Sequence, residues 1–139
     1  MPLVKWENIY SVEIPIIDNQ HKEILRLIND LHSAMSQGVE RAILQDILSA
    51  LISFTWYHFK EEEKLFKIYD YPYGEEHAQQ HREVEEKIRA MHEQFEAGNG
   101  IIIYELMNLL ASWLINHIKN SDRNYSEYLI SQGIWEDIH

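Results

Sequence analysis

The chain has 139 residues, 45% of them hydrophobic, a formal net charge of −11 and no cysteine. That length supports one core, and the missing cysteines exclude disulfides, thiolate-held zinc, iron–sulfur clusters and redox dithiols. The acidic balance speaks against nucleic acid or an anionic membrane as partner. No run approaches the length of an apolar span and the N-terminus has no apolar signal core, so a soluble, cytoplasmic protein is expected, its charge spread over a solvated surface.

In chain order, residues 1–17 read as an extended arm. Pro2 and Pro15 stand among β-branched Val12, Ile14, Ile16 and Ile17, which favour extended backbone. Trp6, Tyr10 and Ile14 are placed to pin the arm over whatever follows. Asp18 is the expected N-cap of a first helix over 19–37, whose apolar residues Ile24, Leu25, Ile28, Leu31 and Met35 recur at helical spacing from His21. Gly38 ends it.

A second helix is expected over 40–68. Its inward stripe runs Leu44, Ile47, Leu51, Phe54, His58, Glu62, Leu65 and Phe66, so two ligand-type side chains stand in the middle of an apolar face. Tyr69-Asp70-Tyr71-Pro72-Tyr73-Gly74 is a turn rich in helix breakers. The third helix, over 74–97, carries His77, His81, Val84, Ile88, Met91 and Phe95 on one face, and Gly98-Asn99-Gly100 closes it. The fourth, over 101–119, has Ile103, Leu106, Leu110 and Trp113 in line with His117. Asn120-Ser121-Asp122 reads as an interruption, Asp122 as a cap for a short helix over 123–131, and 132–139 as a tail. The fold expected is all-α, an up-down-up-down four-helix bundle with an extended N-terminal arm and a short C-terminal helix, in a single domain over 1–139.

His58-x3-Glu62 and His77-x3-His81 each place two potential ligands four residues apart, which on an α-helix is about 40° of rotation and about 6 Å of rise. Both pairs therefore share a face, and the intervening turn lets the faces meet. Imidazole nitrogen with carboxylate oxygen suits iron, zinc or manganese. A buried polar cluster of this kind needs an ion to offset its desolvation. His117 and Asp122 are harder to join. Five residues apart on an unbroken α-helix, they would diverge by about 140°. A π-bulge or a helix end at Asn120-Ser121 would bring Asp122 back.

His21, His58-x3-Glu62, His77-x3-His81 and His117-x4-Asp122 together resemble the hemerythrin pattern, in its single-domain bacterial form (bacteriohemerythrin). The flanking text agrees: Asp18-Asn19-Gln20-His21-Lys22, His58-Phe59-x2-Glu61-Glu62, Tyr71-Pro72, and Trp113-Leu114-x2-His117-Ile118. The resemblance implies two iron ions, Fe2+ or Fe3+, with a bridging oxo or hydroxo group. One iron would be held by His77, His81 and His117, the other by His21 and His58 with an open position for dioxygen. Glu62 and Asp122 would bridge them. Trp113, Leu114 and Ile118 would wall the oxygen pocket, with Leu25 opposite, and the Trp113 indole is expected on the open iron's side. By helical spacing alone those four residues are equally good bundle core.

The implied function is reversible dioxygen binding for transport, storage or delivery to an oxygen-consuming partner protein, by a monomer that is not an enzyme. A sensor acting through a partner, and a slow di-iron enzyme acting on peroxide or nitric oxide, are the alternatives. A signalling module after Gly133 would favour the sensor; its absence from this sequence favours the carrier. A ferritin-like oxidase would want Glu-x-x-His on two helices, and only Glu136-x-x-His139 fits. Glu61 and Glu63 are expected to point away from the site, leaving no general base for zinc hydrolysis. His32 and His92 return to the ligand faces about 16 Å further along their helices and, with terminal His139, are expected to be structural or solvent-facing.

Overall fold

A computed structural model describes residues 3–133; Pro2, Glu136 and His139 lie outside them. The chain forms α1 (Pro15–Ser36), α2 (Arg41–Ile68), α3 (Gly74–Glu96), α4 (Ile102–His117) and α5 (Arg123–Ser131). Contacts run α1 to α2, α2 to α3, α3 to α4 and α4 back to α1. That closed ring of sequential neighbours is the up-down-up-down four-helix bundle. No described helix is long and apolar enough to cross a membrane.

The first helix starts earlier than the sequence suggests. α1 opens at Pro15, where the fixed proline φ suits a first helical position and its missing N–H costs nothing. β-branched Ile16 and Ile17 follow within the helix, and Ile17 is buried in the bundle, so tertiary packing overrides their extended preference. Asp18 is therefore inside the first turn and does not cap α1. Its carboxylate instead accepts the Val12 N–H at 2.8 Å and the Ser11 hydroxyl at 2.5 Å. The arm before it contains a 3-10 turn at Asn8–Tyr10. It is fastened by buried Val12 and Ile14, by Trp6 packed edge-on to Tyr10, and by Asn29, which bonds both backbone groups of Val4.

The predicted stops hold. Gly38 and Gly98 adopt φ of 68° and 110°, and Val39 and Asn99 then donate back to Ala34 and Gln94. That is the Schellman closure, for which glycine has no steric penalty. The Tyr71 N–H returns likewise to the Phe66 carbonyl, with Asp70 taking the left-handed position. The core is a column of Ile, Leu and Phe side chains from every helix. The inward stripes are as read, except that Met35, Leu44, Ile47, Phe54, Leu65, Met91 and Trp113 are only partly buried.

Between α4 and α5 the helix does not stop. Ile118–Asp122 forms one π-helical turn. Bonding to the fifth residue brings side chains five apart into line, as residues four apart are in an α-helix. Of the two routes that could return Asp122 to His117, the chain takes the π turn. Asp122 makes no side-chain cap to α5. The Ser121 hydroxyl donates to the side-chain amide oxygen of Gln80, Oε1, at 2.5 Å and ties the turn to α3.

Candidate metal centre

Seven side chains from four helices and the π turn converge inside the bundle, towards the end that carries the α2–α3 turn. His21 comes from α1, His58 and Glu62 from α2, His77 and His81 from α3, His117 from the end of α4, and Asp122 from the π turn. All are buried, with His21, Glu62, His81 and Asp122 at 0% exposure. They fall into two groups. Glu62, His77, His81, His117 and Asp122 form one, and His21, His58, Glu62 and Asp122 the other, each with one donor atom per residue within 4.8 Å of the rest. The two carboxylates belong to both.

Asp122 shows how the sharing works. Its Oδ1 lies 2.9 Å from His77 Nε2 and 3.0 Å from His117 Nε2, while Oδ2 lies 3.0 Å from His21 Nε2. One oxygen faces each group. Glu62 Oε1 is 2.9 Å from His58 Nε2 and 3.5 Å from His81 Nε2.

These short distances are not hydrogen bonds. Both Glu62 oxygens, both Asp122 oxygens, both ring nitrogens of His21, and Nε2 of His58 and His81 are buried without a hydrogen-bond partner. His117 and His77 bring two Nε2 atoms within 2.8 Å. Leaving so many buried polar atoms unsatisfied would be costly. Lone pairs aimed at a common point account for the pattern. With metal–nitrogen bonds of about 2.1 Å, adjacent ligands at right angles lie about 3.0 Å apart. The residues therefore fit a pair of metal ions held by nitrogen and oxygen, with no sulfur.

The electrostatics agree. Burial pushes the carboxyl groups of Glu62 and Asp122 upward, and the charge of Asp122 adds to this at Glu62, but the imidazoles crowded against them more than offset it and both pKa values fall. Burial likewise opposes charge on His81, yet Glu62, Glu63 and Asp122 raise its pKa to about 9. The site is a pocket of fixed anionic charge lined by nitrogen donors.

Three supporting residues lie outside the expected set. Gln20 Oε1 sits 2.6 Å from His58 Nδ1, and Glu63 Oε2 sits 3.0 Å from His81 Nδ1. Glu63 thus points at the site, contrary to expectation. The α2–α3 hairpin explains why: Glu63 and His81 stand nine residues on either side of Pro72, and antiparallel helices set such residues opposite each other. Tyr125 of α5 is the third. Its hydroxyl is fully buried without a partner, and burial together with the charge of Glu62 and Asp122 raises its pKa well above the ordinary value.

The expected pocket residues divide. Leu25, Leu114 and Ile118 are buried. The Trp113 ring stacks on His117 at 4.3 Å and 14° and meets His81 edge-on at 6.3 Å. Its indole therefore covers the three-histidine group and not the two-histidine group where it was expected, because one turn before His117 it lies over that ring. Phe59 completes this wall, flat on His81 at 3.9 Å. His32 and His92 belong to neither group.

Comparison with known proteins gives the same direction. The family model described as the hemerythrin HHE cation binding domain matches residues 12–129. A bacteriohemerythrin of Pseudomonas aeruginosa (strain LESB58) is 36% identical over 120 residues, covering 86% of this chain and 77% of its own. A bacteriohemerythrin of Methylococcus capsulatus is 28% identical over 130 residues, 93% of this chain and 98% of its own. A crystal structure of wild-type hemerythrin aligns with a TM-score of 0.81 at 27% identity, over 90% of this chain and 96% of that one. With the match running from the end of the arm into α5, this chain belongs to the hemerythrin family.

Proposed function

We propose that this chain is a cytoplasmic, monomeric, single-domain di-iron protein that binds dioxygen reversibly and carries or stores it for an oxygen-consuming partner. One observation carries the reading: two groups of buried donors share the same two carboxylates, and the two oxygens of Asp122 face opposite groups. His77, His81 and His117 would hold one iron, and His21 and His58 the other. Glu62 and Asp122 would bridge them. Bound iron would supply the electrons with which dioxygen is taken up and returned.

The chain's own residues set the conditions. Five neutral imidazoles and two carboxylates leave a pair of divalent ions short of compensating negative charge, which favours an anionic oxygen ligand. The two-histidine group offers one nitrogen donor fewer, so the open position belongs there. Leu25 follows His21 by one turn, and Leu114 precedes His117 by one turn, so both point along ligand faces. With Ile118 they would keep water from the oxygen side. A dry wall without a free acid disfavours cleavage of the O–O bond and favours release.

Protein expressed in iron-replete medium should contain two irons per chain. Chelation should lower its melting temperature, because metal held only by the folded state stabilises that state. A single zinc per chain from the same medium would contradict the reading.

A further inference from the structure

The two sides of the centre differ one layer out. On the two-histidine side, His58 Nδ1 meets a neutral amide, Gln20 Oε1. On the three-histidine side, His81 Nδ1 meets a carboxylate, Glu63 Oε2, which also accepts from Arg82 at 2.5 Å. Arg82 reaches on to Glu85 at 3.1 Å. Both Nε2 atoms face the shared carboxylates, so each Nδ1 carries the proton and donates it outward. Phe59 lies flat on the His81 ring and leaves the Glu63 contact as that ring's polar anchor.

A hydrogen bond to a carboxylate is stronger than one to an amide. Pulling on Nδ1–H makes the opposite nitrogen a richer donor, and a richer donor stabilises the more highly charged ion, one of the levers that sets a metal potential. We propose that Glu63 is a positioning residue that fixes the His81 ring through Nδ1 and biases the ferric state towards the three-histidine ion, while Gln20 leaves the two-histidine ion the more readily reduced. The inference rests on the two-iron reading above. Its consequence is an order within the pair: both ions are ferrous before dioxygen is taken up, and on one-electron oxidation the three-histidine ion gives up its electron first.

The test compares iron-loaded wild type with Glu63→Gln, Arg82→Gln and Glu61→Gln, measuring iron per chain and the midpoint potential of the first one-electron oxidation of the fully reduced pair, the step assigned to the three-histidine ion. Glu63→Gln should shift the ferric-to-ferrous equilibrium at least tenfold towards ferrous, about 59 mV more positive. Arg82→Gln, which frees the carboxylate from its cation, should move it in the opposite direction. Glu61→Gln makes the same charge change on a residue paired with Lys64, and should move the potential much less. A Glu63→Gln shift no larger than that of Glu61→Gln overturns the proposal. Should Glu63→Gln shed iron, Arg82→Gln decides, since Arg82 is 46% exposed and touches no histidine; an unchanged potential there overturns the proposal equally. A wild-type protein without two irons defeats the two-iron reading itself, and the inference with it.

Discussion

His81 shows how a single side chain is held between two roles. Stripped of metal, its imidazole sits between Glu62 and Glu63, and its pKa rises from 6.5 to about 9. A group whose folded pKa is raised contributes stability that is full below its unfolded pKa and is lost as pH climbs through the folded one. The chelated protein should therefore lose stability between about pH 6.5 and 9, read from melting temperature. Iron-loaded protein should lack that decline, because Nε2 would be committed to the metal. Parallel pH profiles for the two forms would show that His81 binds no ion. Trp113 and Leu25 separate covering residue from pocket residue. Leu25→Ala removes a fully buried side chain, so a loss of about 2–5 kcal/mol is expected, together with several-fold faster autoxidation as water gains the oxygen side. Trp113→Phe keeps an aromatic ring over His117, so autoxidation near the wild-type rate is expected, with a stability loss of about 1–2 kcal/mol. The opposite ranking would move the oxygen pocket to the indole side.

The elements show which parts of this arrangement the sequence makes visible. The four-residue spacings of His58 to Glu62 and His77 to His81 are direct statements of a shared helix face, and the apolar stripes that carry them orient that face inward. The π turn is only half visible. Spacing says that an α-helix through His117 and Asp122 would fail, but it does not choose between a bulge and a break. The choice is made by Ser121, tied to Gln80, and by the buried apolar face of α5 at Tyr125 and Leu129. Asp18 misleads, since an acid before a helical stripe resembles a cap, while Pro15 three residues earlier is the true opening. Glu63 is missed when each helix is read alone and becomes visible only when α2 and α3 are folded about Pro72. The turn also gives a test. Deleting Asn120 leaves His117 and Asp122 four residues apart, so an α-helix keeps both on one face, and iron content should stay at two per chain. Inserting one alanine after Asn120 should lower it. Retention of both irons by the insertion variant would show that the π turn does not position Asp122.

At the scale of the molecule, the ring of four helices is what makes a shared centre possible. α1 and α3 give turns near their starts, and α2 and α4 turns near their ends, to the site; the connecting Schellman turns at Gly38, Asp70 and Gly98 hold adjacent helices antiparallel so that these ligands arrive at one level. The arm crosses this frame and is bound to it by Asp18, Asn29 and Arg123, whose guanidinium donates to the Ile9 carbonyl at 2.5 Å. A bundle built around desolvated donors should bind its ligand in a form that can be released. The most direct measurement is the visible spectrum of the reduced, iron-loaded protein, recorded before air, after air and again after deoxygenation. New charge-transfer absorption that appears with oxygen and disappears on its removal, over repeated cycles, is the predicted result. An irreversible change to an oxidised spectrum in the first cycle would contradict the account.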